Sequence, residues 1–163
     1  MKKRKGRPDS SVRISRDTEA KSWASDARVR ARMQRQKTRD TRPELALRRL
    51  LHARGLRYRV DTQPLPGLRR RADLVFGPAR VAVFVDGCFW HGCPEHGQRP
   101  TIANTTYWRE KVERNNRRDT ETDEALVASG WLPIRVWEHE NPEIVANLVE
   151  AQVRRRRHRS ASG

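Results

Sequence analysis

Ten consecutive residues, CFWHGCPEHG from Cys88 to Gly97, contain both cysteines of the chain and two of its five histidines. Cys88-x4-Cys93-x2-His96 offers three soft or borderline ligands in one loop, and His139, in the WEHE after the last apolar run, offers a fourth. Four such donors suit a tetrahedral zinc, and two thiolates with two imidazoles leave a neutral complex that can be buried. The competing reading makes Cys88 a small core residue and the histidines surface groups. The confinement of cysteine to this loop favours zinc. In a reducing compartment, two cysteines five positions apart serve as ligands rather than as a disulfide. His91 lies between them, either as a competing ligand or as a histidine available for acid–base work, with Asp119 as a partner.

Polar residues also stand on stretches that should be apolar. ADLVF (72–76) and RVAVFVD (80–86) read as two strands joined by the break at 77–79. Closing a hairpin there pairs Phe76 with Arg80 and sets Asp73 opposite Val83, on the face of Val75, Val81, Val83 and Val85. A carboxylate in that company needs a metal, a cation or several donors. Metal binding and an ion pair with one of the many arginines weigh equally. Asp86 has the opposite parity in this register and points with Phe84. On a helix predicted over 106–129, Trp108, Val112, Asn115, Asp119, Thr122 and Leu126 share one stripe, opposite Arg109, Glu113, Arg117 and Glu124. Asn115 and Asp119 in that stripe mark either a site or buried hydrogen bonds. Asp119 fits a role in orienting a histidine or in binding a cation.

The elements that must position these groups follow from the flanking patterns. TRPE at Thr41–Glu44 is a capping-box pattern, Leu47, Leu50 and Leu51 form the helix stripe, and Gly55 stops it. LRYRV (56–60) predicts a strand, followed by the loop DTQPLPGLRR. Residues 87–106 form an irregular excursion. WLPIRVW (131–137) is a strand in which Pro133 indicates an edge or a bulge. A last helix covers 142–153. The resulting αββ…αβα order predicts one mixed α/β domain over 28–153, flanked by disordered basic arms at 1–27 and 154–163. The chain has 163 residues, with 36 Lys+Arg against 20 Asp+Glu and a net charge of +16. Arginine stays dense between the arms, so a polyanion, most simply nucleic acid, is the expected partner. No apolar run approaches a membrane span and no apolar segment follows MKKRKG, so a soluble intracellular protein is expected.

Five blocks in order over 28–140, MQRQKTRDTRPE, ADLVF, VFVDGCFWHGCPEHG, YWREKVERNNRRD and GWLPIRVWEHE, resemble the very short patch repair endonucleases. The resemblance implies a restriction-endonuclease-like α/β fold, a mixed sheet flanked by helices, with a structural zinc loop. It implies an enzyme that nicks double-stranded DNA 5′ of the thymine in T·G mismatches left by 5-methylcytosine deamination, a lesion the family meets in CT(A/T)GG sites. By the same resemblance Asp73 holds catalytic Mg²⁺ with the main-chain carbonyl of Val85, and Glu44 supports the metal-bound waters. His91 activates the attacking water with Asp119 as its partner, and Asn115 lies near the same centre. Phe89, Trp90 and Trp108 would wedge into the duplex, and Met33 would probe the minor groove from the other side. The metal loop departs from the family, whose best-known members have more histidines and a thiolate where His139 stands.

The resemblance therefore implies Mg²⁺-dependent phosphodiester hydrolysis by a cytoplasmic, nucleoid-associated monomer linked to a cytosine-5 methyltransferase and a repair polymerase. An inserted ring recovers stacking worth about 1–3 kcal/mol per base, and the basic residues of 28–42 make binding salt-dependent. Two alternatives remain at this point. One is a restriction-type endonuclease cutting an unmismatched site, and the other is a non-catalytic zinc-stabilised DNA-binding module.

Overall fold

Two neighbouring apolar runs with alternating side chains build the centre of the fold. The computed structural model describes residues 39–97 and 105–161; Met33 and the arm at 1–27 lie outside them. Helix α1 (Arg42–Ala53) leads to β1 (Arg59–Thr62), β2 (Ala72–Phe76) and β3 (Val81–Asp86). A single helical turn, α2 (Cys88–His91), precedes the long α3 (Thr105–Ala128), β4 (Leu132–Trp137) and α4 (Pro142–Ala161). The four strands form one mixed sheet in the order β1-β2-β3-β4. β1, β2 and β3 are antiparallel neighbours, and β4 runs parallel to β3. The expected mixed α/β sheet flanked by helices is therefore observed, and Pro133 does sit on an edge strand.

The sheet separates two cores. On one face, Leu74, Phe76, Val81, Val83, Ile134 and Val136 pack against Leu47 and Leu51 of α1 and Val145, Val149 and Val153 of α4. On the other face, Val75, Ala82 and Phe84 meet Leu126 of α3, with Trp131 against them. Burial of α3 follows the expected stripe. Asn115, Thr122 and Leu126 are buried, whereas Arg109, Glu113, Arg117 and Glu124 are exposed.

Three sequence expectations need correction. The hairpin pairs Phe76 with Val81 and Leu74 with Val83, one residue away from the predicted register. Arg80 adopts a left-handed conformation (φ 50°) and belongs to the turn, so the strand begins one residue later. Val81 and Val83 consequently share a face with Leu74 and Phe76 rather than with Asp73. The second correction concerns the basic tail, which is helical through Ala161 because α4 continues. Arg156 there donates to the carbonyls of Ala79 and Gly130, capping the turn before β3 and the end of α3. The third is local to α1: Glu44 reaches back to the amide of Asp40 (2.9 Å) rather than to that of Thr41, whose hydroxyl donates to Glu44 instead.

No helix among the described residues is long and apolar enough to cross a membrane.

Candidate active site and metal cluster

β3 ends at Asp86, and the chain turns through Gly87 directly into α2, so the motif residues are mounted on the end of a central strand. Gly92, at φ 68°, closes α2 against α3. A Cβ at that position would stand 2.7 Å from Val112 Cγ1, a contact that no side chain can take. The buried Asn115 amide donates to the Trp90 carbonyl at 2.7 Å and accepts from Arg118, tying α2 to α3. This docking brings His91 Nδ1 to 2.6 Å from Asp119 Oδ2 and 3.8 Å from Asp86 Oδ1. A cavity of about 300 Å³ opens beside the pair, bordered by Asn116, Arg135 and Trp137.

The electrostatics of this cluster are shared among its members. Burial opposes a charge on His91, yet the Asp119 hydrogen bond and the charges of Asp86 and Asp119 outweigh it and raise its pKa. Burial likewise pushes Asp86 up, and Arg135 and His91 offset only part of that. Burial works in the same direction on Asp119, but its bond to His91 and the charge of Arg135 prevail and hold it below the usual range. Asp119 is thus the member of the pair held ionised, hydrogen-bonded to the imidazole.

Asp73 forms the neighbouring half of the site. Its Oδ2 accepts the Val85 amide at 2.7 Å across the hairpin. Among the described residues no arginine forms an ion pair with it, although the charge of Arg48 acts on it. Burial pushes its pKa up to about 6; the Val85 hydrogen bond opposes this, and the charges of Glu44 and Asp86 add to it. Glu44, only 4% exposed, is held by Arg48 at 2.9 Å. Asp86 links the halves, since its charge acts on Asp73 while its carboxylate lies near His91. The separation of Asp86 from Asp73 expected from strand parity does not hold, because it depended on the shifted register.

On the other side of α2, Cys88, Cys93, His96 and His139 converge with all donor atoms within 4.8 Å of one another. Cys88 Sγ lies 3.0 Å from His139 Nδ1 and 4.0 Å from His96 Nδ1; Cys93 Sγ lies 3.7 and 3.9 Å from the same atoms. A tetrahedral ion with arms of about 2.3 Å to sulfur and about 2.0 Å to nitrogen has S···N edges of about 3.5 Å. The four donors therefore fit a metal ion of zinc's size and preference. Both cysteines are free and buried. Burial and the adjacent Cys93 push the Cys88 thiol up to about 12, so a thiolate there needs a cation beside it.

Phe89 packs edge-on against Trp90 and Trp108, which are tilted against each other, with ring centroids 4.8–5.8 Å apart. All three are only partly buried and belong to neither core. Lys111 lies 4.7 Å from the centre of the Trp90 ring. Trp131, by contrast, packs on the second core as a structural ring. Trp137 lies at the cavity and stacks on His139 at 6.5 Å, joining the two clusters.

Sequence reasoning missed Arg135 and set Asp86 aside. The signal for Arg135 was a cation between two buried apolar residues, Ile134 and Val136, on a strand whose other face meets α3.

A family model described as DNA mismatch endonuclease Vsr matches residues 23–96. The type II nicking enzyme V.NaeI of Lentzea aerocolonigenes is 45% identical over 121 residues, 72% of each chain. The type II nicking enzyme V.XorIIP of Xanthomonas oryzae pv. oryzae is 42% identical over 132 residues, 80% of this chain and 92% of its own. The DNA mismatch endonuclease Vsr of Escherichia coli is 38% identical over 101 residues, 62% of this chain and 63% of its own. Together with the sheet and its clusters, these likenesses define a DNA endonuclease with a restriction-endonuclease-like fold. More narrowly, the chain belongs to the Vsr family of DNA mismatch endonucleases.

Proposed function

We propose that the protein nicks one strand of duplex DNA 5′ of the thymine in a T·G mismatch and so starts short-patch repair of deaminated 5-methylcytosine. The observation that carries this reading is the 2.6 Å bond from His91 Nδ1 to Asp119, next to a second, partly buried acid at Asp73. With Nδ1 engaged, Nε2 is the nitrogen that takes the proton from the attacking water. Asp119 and Asp86 then stabilise the imidazolium, as the raised His91 pKa requires. Asp73, Glu44 and Asp86 crowd negative charge that Arg48 only partly offsets, so the donor set suits a hard cation. Asp73 and the main-chain carbonyl of Val85 would hold Mg²⁺, with Glu44 on its waters. When bound, Mg²⁺ supplies charge neutralisation at the scissile phosphate and the leaving oxygen.

Cys88, Cys93, His96 and His139 would hold a structural Zn²⁺ that keeps α2 rigid. The partly exposed trio of Phe89, Trp90 and Trp108, carried on or facing α2, would enter the stack at the mismatch, where distortion is cheapest. We place the protein in the cytoplasm, at the nucleoid, as a monomer working downstream of a cytosine-5 methyltransferase and ahead of a repair polymerase.

A second reading, nicking of an unmismatched site, draws on relatives named type II nicking enzymes. Matched T·G and C·G duplexes of one sequence, incubated with Mg²⁺, separate the two. Nicking confined to the T·G duplex is expected, and equal cleavage of both would overturn the mismatch reading.

Asp73→Asn in the same assay should abolish nicking and, without Mg²⁺, raise the melting temperature at pH 7–8. The sign follows from a folded pKa of about 6 against about 4 unfolded. Ionised Asp73 costs stability above that window, and the cost fades as pH falls through it. That cost is about 2–3 kcal/mol. Full nicking by Asp73→Asn would remove Asp73 from the mechanism.

A further inference from the structure

We infer that Arg135 is a positioning residue for the nicking reaction, its guanidinium fixing the carboxylates of Asp86 and Asp119 against which His91 is held. This inference rests on the reading of His91 as the base. Arg135 stands on β4 beside Phe84 of β3, with its guanidinium 4.6 Å from the Phe84 ring centre. Its neighbours Ile134 and Val136 belong to the core under α1 and α4, so Arg135 projects to the opposite face, beneath α3. A cation on a sheet face needs compensation, and three acids from two elements supply it.

Each guanidinium nitrogen has its own assignment. Nε donates to Asp123 at 2.9 and 3.2 Å, and Nη1 donates to both oxygens of Asp86 at 2.9 and 3.0 Å. Nη2 lies 3.2 Å from Asp119 Oδ1. Nη2 also donates to the Asp119 main-chain carbonyl at 3.5 Å, so Asp119 is held by a hydrogen bond to His91 at Oδ2, by an ion pair with Arg135 at Oδ1 and by Arg135 at its backbone. These contacts restrain Asp119 on α3 and, through its bond to Nδ1, the imidazole. Asp86, His91 and Asp119 also have the composition of a metal group, with donor atoms within 4.8 Å. The cation among them is the guanidinium.

Without Arg135, three carboxylates would repel one another and Asp119 could turn on α3, carrying His91 out of line. A lysine cannot substitute, because an ammonium is a point charge without the planar fork that serves three directions. The resulting defect is one of aim rather than of DNA binding.

The test is Mg²⁺-dependent nicking of a T·G duplex by the full chain, as wild type, His91→Ala, Arg135→Ala and Arg135→Lys. We expect Arg135→Ala to lower kcat about 10–100-fold with KM for the duplex nearly unchanged, as a misplaced catalytic group does. Millimolar guanidinium should restore part of that kcat, whereas methylammonium at equal concentration should not. Arg135→Lys should keep the wild-type circular dichroism and lose at least several-fold in kcat. It carries the test if Arg135→Ala does not fold. Wild-type kcat in Arg135→Lys, or a loss confined to KM without guanidinium rescue, overturns the inference. If wild type nicks and His91→Ala is as active, the reading of His91 fails and this inference with it. An inactive His91→Ala beside fully active Arg135 variants sinks the inference alone.

Discussion

Two clusters of histidines with anionic partners flank the single turn of α2, and they differ in what neutralises them. In the first, Cys88, Cys93, His96 and His139 aim their donor atoms at a common centre, and among these four no side chain is a permanent cation. In the second, Asp86, His91 and Asp119 surround a guanidinium that already satisfies two carboxylates. The same residue type thus acquires two roles within six positions of chain. His96 faces thiols and suits a ligand role, whereas His91 faces carboxylates that favour its protonated form and suits a base. The counter-charge beside each imidazole, rather than the imidazole itself, separates ligand from base.

The largest effect that could break this contrast lies in the first cluster. Cys93→Ser, or prolonged treatment with a strong chelator, should remove zinc from the chain as read by elemental analysis. It should also abolish T·G nicking and lower the melting temperature on the order of 10 °C, since a structural zinc contributes folding energy directly. A variant that retains zinc, or loses it without harm to nicking, would mean that the loop does not depend on these four donors.

The second cluster should respond in the opposite manner. His91→Ala should leave zinc content and circular dichroism unchanged while nicking falls about 10²–10⁴-fold, the usual contribution of a general base. As the proposed base, His91 must be neutral to act, so its raised pKa should put the acidic limb of the kcat/KM profile above the ordinary histidine value of about 6.5. Asp119→Asn removes a charge that raises it and leaves at most a neutral hydrogen bond, so the limb should move to lower pH. Stability has the opposite sign. The fold favours protonated His91, a contribution present below the unfolded pKa and lost as pH rises through the folded one. Activity and this part of the stability therefore trade places across one pH window. A limb at the same pH in wild type and Asp119→Asn would dissociate Asp119 from the base.

The contrast also explains what was legible in the sequence. The ligand cluster could be read from spacing because cysteine is rare here, with only two in the chain. Helical periodicity on α3, a long element on which a one-residue error in its ends changes nothing, put Asp119 on the inward stripe, and the family resemblance supplied its pairing with His91. The hairpin was less forgiving. Placing Arg80 in a strand instead of a left-handed turn shifted the register by one residue and reversed which face each residue shares. Asp86 was lost from the site for that reason. Arg135 was hidden by abundance, since one arginine among 36 Lys+Arg carries little signal until its strand partners are known. The run Arg154–Arg157 read as a solvated tail, and only the fold reveals the carbonyls that Arg156 caps.

The smallest expected effect tests the joint between the clusters. Asn115, 9% exposed, makes its bond to the Trp90 carbonyl, one residue before His91 and two after Cys88. Asn115→Ala leaves that part-buried carbonyl without its partner, which costs about 1 kcal/mol or more. The turn should loosen rather than unfold, because Cys88 and Cys93 still anchor it from the other side. Zinc content should therefore stay at the wild-type level while nicking falls several-fold and melting occurs a few degrees lower. The pH limb should not move, since the charges around His91 are unchanged. If zinc is lost together with nicking, the two clusters share one mechanical support. If only nicking changes, α2 transmits the position of α3 to His91 and shields the metal loop from it.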